Sequence, residues 1–294
     1  MFKKILVVVR GADPQQPAVR RAVLCAGRGT RLAVLDVVHE PMLDGYLGNT
    51  AIYEPLRARV VAERRAAVEA LVAALVARGL EAVGQAVWDH PLDEAVAKHV
   101  RAEHADLVVV APPDGPEQGL TQSDWRLVST CPAPVLVVRG PAAKKYKSIV
   151  AAVDPFHAHA KPADLDLSIL ASARELQVQS GATLTVVHCY TPPEVLGGEP
   201  VAAVSGRDSA SGRREALERL VEQARLPKSS ARLATGAPPH TALQRMAENG
   251  EADLIVIGAL ARGRLKDWLI GSTAERVLHR GGVDVLAVKP VQVR

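Results

Sequence analysis

Residues 252–290 read ADLIVIGALARGRLKDWLIGSTAERVLHRGGVDVLAVKP, and this stretch decides the fold. An apolar run ends at Gly258, a basic loop follows, and Gly271 opens a segment that leads to a second apolar run at 285–288. Short apolar runs are typical of buried strands, and the amphipathic segment before the second run is typical of a helix. The stretch therefore predicts a strand, a loop, a helix and a strand in succession.

The loop in this stretch has features of a phosphate site. Gly258 predicts a sharp turn at the end of a strand, and Gly271 predicts a close approach of the backbone to a ligand. Ser272 is a good N-cap, and Glu275 three residues later completes a capping box. The helix would present its free N–H groups beside the cations of the loop, which are Arg262, Arg264 and Lys266. The spacing alone fits equally well a ligand-free loop with a capped helix.

Length and composition indicate ordinary globular material. The 294 residues are 48% hydrophobic and 23% charged, enough for two domains of about 150 residues. The sequence has no apolar run of about 18 residues, and its start, MFKKILVVVRGADP, is unlike a signal peptide. We therefore expect a cytoplasmic protein without a membrane partner. Cysteine spacing favours reduced, inert thiols over disulfides or a zinc site, and the cysteines are Cys25, Cys131 and Cys189.

The charge is modest and unevenly distributed. Residues 144–294 contain 20 Lys and Arg against 16 Asp and Glu, whereas residues 1–143 contain 16 of each. This excess is too small for a nucleic-acid-binding face, and an aromatic content of 3% provides no platform for stacking bases. We expect no nucleic-acid partner and assign the extra cations to one phosphate site.

The chain repeats itself once. Residues 4–11 align with 148–155, and ADLVVVAP at 105–112 aligns with ADLIVIGA at 252–259. A single repeat of this length indicates two domains of one fold. We place the domains at 1–141 and 145–294, joined by the Gly-Pro-Ala-Ala-Lys-Lys segment.

Each half alternates short apolar strands with helical segments, which predicts two tandem doubly wound parallel five-stranded sheets in an α/β fold. Strands are predicted near residues 5–9, 32–38, 82–88, 107–110, 135–138, 149–153, 184–188, 231–234, 254–257 and 285–288. Helices are predicted at residues 17–26, 54–78, 92–103, 123–130, 165–179, 209–224, 240–248 and 273–280. The loops at 42–50 and 194–206 are interpreted as connectors or lids.

Residues 258–272 resemble the ATP-binding signature of universal stress proteins, G-x2-G-x9-G-[ST], except that the second glycine is Ala261. The segment TAERVL at 273–278 also resembles that family. The resemblance implies a Rossmann-like, adenine nucleotide alpha hydrolase-like fold with ATP as its cofactor, with or without Mg²⁺. The contact residues that it implies are Asp154, Gly258, Ala261, Arg262, Gly271, Ser272 and Thr273.

Asp154 follows the first strand of the second half. In the resembling family an acidic residue at this position contacts the base or ribose. Taken without the resemblance, an Asp before Pro155 is more simply a turn-former.

The resemblance implies nucleotide binding only in the second half. In the first half, Arg10 stands in place of Asp154, Ala111-Pro112-Pro113 in place of Gly258, and Ser123-Asp124 in place of Gly271-Ser272. An acidic Asp124 at a helix start would repel phosphate while capping the helix well. Segments 87–91 and 124–132 are similar to a tandem-domain proteobacterial branch whose first half has lost its nucleotide loop.

We expect low affinity in the second half: if the glycine of the signature needs a left-handed backbone, alanine at 261 would cost about tenfold in binding. An Ala261 methyl group that points into the phosphate site would instead abolish binding. The repeat further predicts that the two halves form an internal pseudo-dimer, with further oligomerisation left open.

The remaining candidates favour a binding protein over an enzyme. His157 and His159 fit a solvated loop better than a zinc site, and His188 fits a packed, hydrogen-bonded role. No catalytic residue can be named, and Asp154 would at most position Mg²⁺ or a water molecule. We therefore expect a binding and regulatory module of the stress response. The alternatives are a slow ATP hydrolase and a scaffold that binds an apolar metabolite in the first half.

Overall fold

The computed structural model describes residues 2–11, 13, 15–113, 119–140, 144–156, 162, 164–190, 209–259 and 271–290. The chain divides into two compact units, Phe2–Lys144 and Lys145–Arg294.

The first unit alternates strands with helices. Its elements are β1 (Lys4–Val9), α1 (Pro17–Cys25), β2 (Arg31–Val38), α2 (Thr50–Ala77), β3 (Glu81–Trp88), α3 (Leu92–Glu103), β4 (Leu107–Val110), α4 (Gln122–Thr130) and β5 (Val135–Val137). Within this unit the strands lie in the order β3-β2-β1-β4-β5, and every neighbouring pair is parallel.

The second unit has the same plan. Its elements are β6 (Ser148–Ala152), α5 (Leu165–Ser180), β7 (Thr183–Tyr190), α6 (Ala210–Gln223), β8 (Ala231–Thr235), α7 (Pro239–Glu248), β9 (Leu254–Gly258), α8 (Ser272–Arg280) and β10 (Asp284–Val288). Within this unit the strands lie in the order β8-β7-β6-β9-β10, again all parallel. The predicted doubly wound parallel α/β fold is confirmed.

The strand order reverses beside the first strand of each unit. β6 pairs with β7 on one side and with β9 on the other, as β1 pairs with β2 and β4. The connections on the two sides of such a strand leave in opposite directions, so a crevice opens at the carboxyl ends of the strands.

Burial explains the continuous apolar character of the inner strands. Every residue of β4 and the first four residues of β9 are buried, whereas β3 and β8, which lie at one end of the strand order of their units, carry exposed residues. Inner strands of a parallel sheet are covered on both faces and cannot alternate polar with apolar side chains.

Two predicted boundaries before α2 are wrong. Residues Pro41–Tyr46 of the predicted loop form a 3₁₀ helix, and α2 begins at Thr50 rather than near Pro55. The Asn49 carbonyl accepts hydrogen bonds from the amides of residues 52–53 at 3.1 and 2.9 Å, so the first helical turn is closed ahead of the proline. The predicted loop at 194–206 lies outside the described residues.

Each unit contains the same pair of hydrogen bonds from an aspartate side chain to the backbone. The carboxylate of Asp106 accepts hydrogen bonds from the amides of residues 3–4 at 2.7 and 3.1 Å. Asp253 accepts from the amides of residues 147–148 at the same two distances. Each aspartate ties the start of its unit's fourth strand to the start of the first, which explains why both copies of the repeat contain Ala-Asp-Leu.

We predict that Asp253→Ala lowers the free energy of unfolding by about 1–3 kcal/mol, because two charge-assisted hydrogen bonds to backbone amides are lost. Urea denaturation measures this change. Glu251→Ala is the matched control, since Glu251 lies on the surface, pairs with Arg232 and should contribute little. Equal stability of the parent chain and Asp253→Ala would contradict the assignment.

Candidate functional site

A cavity of about 310 Å³ opens at the carboxyl ends of β6, β7 and β9. It lies at the reversal point of the second unit, where open parallel sheets bind their ligands. Much of its wall is apolar, including Leu165, Ile169, Val187, Leu243 and Ile257. A mainly apolar cavity with a few polar groups is typical of a small-molecule site.

Five of the seven predicted site residues line this one cavity. They are Asp154, Gly258, Gly271, Ser272 and Thr273. The other two, Ala261 and Arg262, lie outside the described residues, as do Arg264 and Lys266. The fold thus brings together groups from β6, β9 and α8 that are far apart in the sequence.

The start of α8 differs from the prediction. Gly271, not Ser272, is the N-cap, and its carbonyl accepts a hydrogen bond from the Glu275 amide at 3.0 Å. The predicted capping box between Ser272 and Glu275 is wrong, because glycine occupies the cap position and has no side chain to accept a hydrogen bond. The first-turn amides have no intrahelical partners, and residues 271–274 line the cavity.

Gly258 is required for packing rather than for a turn. It is the last residue of β9 and pairs with Val288, without a positive φ. A Cβ atom at this position would lie 2.7 Å from Leu165 Cδ2 and 3.3 Å from Ile169 Cδ1. The glycine therefore allows α5 to approach β9, and the predicted sharp turn at this residue is wrong.

Gly271 is different, because a Cβ atom there would meet none of the described atoms within 4 Å. Its φ of −52° is also open to any residue. The contacts with the described residues therefore do not require a glycine at this position.

Asp154 forms the predicted turn and also lies on the cavity wall. Its Oδ1 accepts a hydrogen bond from the Phe156 amide at 3.2 Å, which closes a short turn. Its side chain is 30% exposed and lies on the cavity wall. Oδ1 also lies 4.0 Å from His188 Nδ1. The turn holds the carboxylate at the carboxyl end of β6, facing the crevice.

His188 is buried and hydrogen-bonded, as predicted. Its Nδ1 lies 3.2 Å from the Val153 carbonyl, and its Nε2 lies 3.2 Å from Nη1 of Arg213. A guanidinium can only donate, so Nε2 is the acceptor and Nδ1 carries the proton. Burial lowers the pKa of His188, and Arg213 lowers it further, against the opposing effects of Val153 and Asp154. His188 is therefore a neutral residue of the cavity wall beside the Asp154 carboxylate.

Arg213 is a cavity residue that the sequence analysis missed. Its guanidinium lies 4.5 Å from the ring centroid of Phe156 and 4.3 Å from that of Tyr190. Cation–π contacts with two rings hold this arginine against His188. No sequence signal marks it, because an arginine in the first turn of α6 reads as a solvated helix residue.

Cys189 also lines the cavity. Burial raises the pKa of its thiol to about 11, and its Sγ lies 3.9 Å from the Pro239 carbonyl. The thiol is therefore protonated near neutral pH and is a poor nucleophile, in line with the predicted inert role.

In the first unit, the residues that correspond to the start of α8 differ from those predicted. α4 and α8 each contain nine residues. When the helix starts are aligned, Thr121 and Gln122 correspond to Gly271 and Ser272. The predicted correspondence with Ser123-Asp124 is wrong by two residues, because the preceding loops differ in length.

An ion pair occupies this region of the first unit. Arg10 Nη2 donates to Asp124 Oδ1 at 2.8 Å, and Asp124 is only 1% exposed. Asp124 Oδ2 accepts from the amide and the hydroxyl of Thr121 at 3.0 and 2.7 Å, which completes a capping box. Aligned on the helix starts, Asp124 corresponds to Ala274, which lines the cavity of the second unit.

In the described part of the chain, no group of three or more His, Cys, Asp or Glu side chains could hold a metal ion. His157 and His159 lie outside that part. None of the helices in it has the length and apolar character needed to cross a membrane.

Comparison with known proteins extends over both units. The model of the universal stress protein family matches residues 1–139 and again residues 145–289. Universal stress protein E of Photorhabdus laumondii is 26% identical, over 98% of this chain and 95% of its own length.

Solved structures give the same result. A putative universal stress protein from Pseudomonas aeruginosa UCBPP-PA14 is 25% identical, covers 99% of this chain and 94% of its own, and has a TM-score of 0.72. A universal stress protein solved in complex with cAMP is 26% identical over 49% of this chain and 98% of its own, with a TM-score of 0.34. The family match over both repeats confirms the resemblance inferred from residues 258–278. The chain belongs to the universal stress protein family.

Proposed function

We propose that the second unit binds an adenine nucleotide and that the protein acts as a binding and regulatory module of the stress response. The observation that carries the proposal is the convergence of Asp154, Gly258 and residues 271–273 on one cavity. The family resemblance implies these residues as ligand contacts, and they come from separate segments of the chain.

The start of α8 supplies the phosphate end of the proposed site. The amides of its first turn and the hydroxyls of Ser272 and Thr273 are donors suited to phosphate oxygens, and the helix dipole favours negative charge there. Arg262, which the family resemblance implies as a further contact, belongs to the loop sequence before α8. None of the described atoms would meet a Cβ atom at Gly271 within 4 Å, which leaves room for a phosphate beside them.

The β6 and β7 side of the cavity suits the nucleoside. Val187, Leu243 and Ile257 provide apolar surface, and Asp154 provides an acceptor for hydroxyl or amino groups. Asp154 is also the one carboxylate on the described cavity wall, so it is the residue that would help to hold Mg²⁺ bound chiefly by the phosphates.

The first unit is expected not to bind a nucleotide. Arg10 and Asp124 form an ion pair at the positions of Asp154 and Ala274. A phosphate at the start of α4 would face the nearly buried carboxylate of Asp124, and like charges repel strongly at such a site.

We predict that Ala261→Gly tightens Mg-ATP binding by about tenfold, because glycine relieves the backbone cost of alanine at the second position of the signature. Gly271→Val should abolish binding while the chain stays folded, since a Cβ atom at 271 meets no atom of the described residues. Calorimetric titration with Mg-ATP, AMP and cAMP measures both changes.

Ser123→Ala in the first unit is the matched control and should leave binding unchanged. Absence of binding by both the parent chain and Ala261→Gly would contradict the proposal and favour a scaffold or an apolar-ligand protein. Nucleotide release followed by mass spectrometry of the purified protein would then identify any other bound small molecule.

We also predict that a bound nucleotide slows alkylation of Cys189, because this thiol lines the cavity. In the free protein the alkylation rate should rise about tenfold per pH unit up to a pKa of about 11, since only the thiolate reacts. Cys25 and Cys131 are buried and serve as internal controls by peptide mass spectrometry. Equal rates with and without saturating Mg-ATP would place the nucleotide elsewhere.

The rival function, slow ATP hydrolysis, uses the same cavity. Asp154 is 4.0 Å from the neutral His188, and either could orient a water molecule. Turnover of labelled ATP by Ala261→Gly that is lost in Asp154→Asn would favour the enzyme over the binding module.

A further inference from the structure

Basic side chains from α7 and α8 gather beside the cavity. Arg276 Nη1 lies 3.2 Å from Nε2 and 3.5 Å from Nδ1 of His240. Arg280 follows one turn later on α8 and donates to the Gln244 side chain. Within the described residues, neither Arg276 nor His240 forms an ion pair with a carboxylate.

Arg276 and His240 do not themselves line the cavity, but each lies close in the sequence to a residue that does. His240 directly follows Pro239, a wall residue. Arg276 lies four residues after Ser272, another wall residue, and residues four apart are neighbours on one face of a helix. The pair therefore lies about one helical turn from the start of α8, where the phosphates of the proposed ligand begin.

The charge state of this pair is unusual. Burial lowers the pKa of His240, and the nearby Arg276 and Arg280 lower it further. The charged groups of α8 that face the ring are thus both cations, and the neighbouring β7 contributes the protonated thiol of Cys189 near Pro239. An approaching anion would offset this local excess of positive charge and favour the protonated ring.

We propose that Arg276 and His240 form a subsite for the terminal phosphates of a nucleoside polyphosphate and so make the site prefer ATP to AMP. The inference rests on the proposed function, because it extends the same nucleotide outward from the start of α8. Arg276 supplies a permanent cation, and His240 becomes a second one when it takes up a proton as the phosphate arrives.

The test compares Mg-ATP with AMP in the full-length Ala261→Gly chain, where affinities are highest. Replacing Arg276 with alanine should weaken Mg-ATP binding about five- to tenfold and change AMP binding by less than about twofold, because AMP does not reach Arg276. His240→Gln should act in the same direction. Arg245→Ala, which removes an exposed arginine elsewhere on α7, is the matched control and should alter neither affinity.

Proton uptake provides a readout that a merely structural role would not change. Calorimetry at pH 6.5 in two buffers of different ionisation enthalpy should show that Mg-ATP binding takes up a proton. This uptake should be absent with AMP and absent in His240→Gln.

The outcomes separate the two proposals. If ATP and AMP both bind but their affinity ratio is unchanged in Arg276→Ala and His240→Gln, the subsite is refuted and the proposed function stands. If both ligands weaken equally, the pair has only a structural role and the subsite is again refuted. If the Ala261→Gly chain binds neither ligand, the proposed function fails and the subsite fails with it.

Discussion

The second unit depends on how closely α5 can approach β9. A Cβ atom at Gly258 would lie 2.7 Å from Leu165 and 3.3 Å from Ile169, so glycine allows these two residues to pack over the strand without a shift of their side chains. Both also line the cavity. The same contact therefore closes the core on one side and forms the cavity wall on the other, at the point where the strand order reverses. Gly258 therefore serves both the packing of the core and the shape of the candidate site.

The two units keep one framework and differ in the chemistry of their crevices. Asp106 and Asp253 fasten their units with the same pair of backbone hydrogen bonds. At the strand and helix ends, however, the first unit carries Arg10 and Asp124 as an internal ion pair. A carboxylate that is 1% exposed needs such a partner, because burying an unpaired charge is costly. The charges at the crevice of the first unit are thus paired with each other.

The cavity of the second unit is electrostatically graded. At the β6 and β7 side, Arg213 is held between two aromatic rings and donates to His188, which keeps that histidine neutral beside Asp154. At the opposite side, the start of α8 presents amides and a positive dipole end. A ligand with an uncharged, partly apolar body and an anionic end matches this gradient, as an adenine nucleotide does.

The sequence by itself determined the doubly wound fold, the internal repeat and the segments that line the cavity. These features rest on local patterns: continuous apolar runs, helical spacing, and the spacing between Gly258 and Ser272. The tertiary structure decided what the local patterns leave open. Gly271 rather than Ser272 caps α8, and Gly258 serves packing rather than a turn. The starts of α4 and α8 also correspond at positions two residues away from those predicted by the sequence alignment.

The clustering of Arg213 with His188 and two aromatic rings likewise joins residues from β7, α6 and the segment that follows β6. Such contacts depend on how distant segments approach one another in space. Residue spacing along a chain predicts which side chains lie on one helix face or at one strand end. It does not predict which residues of other elements those side chains will contact.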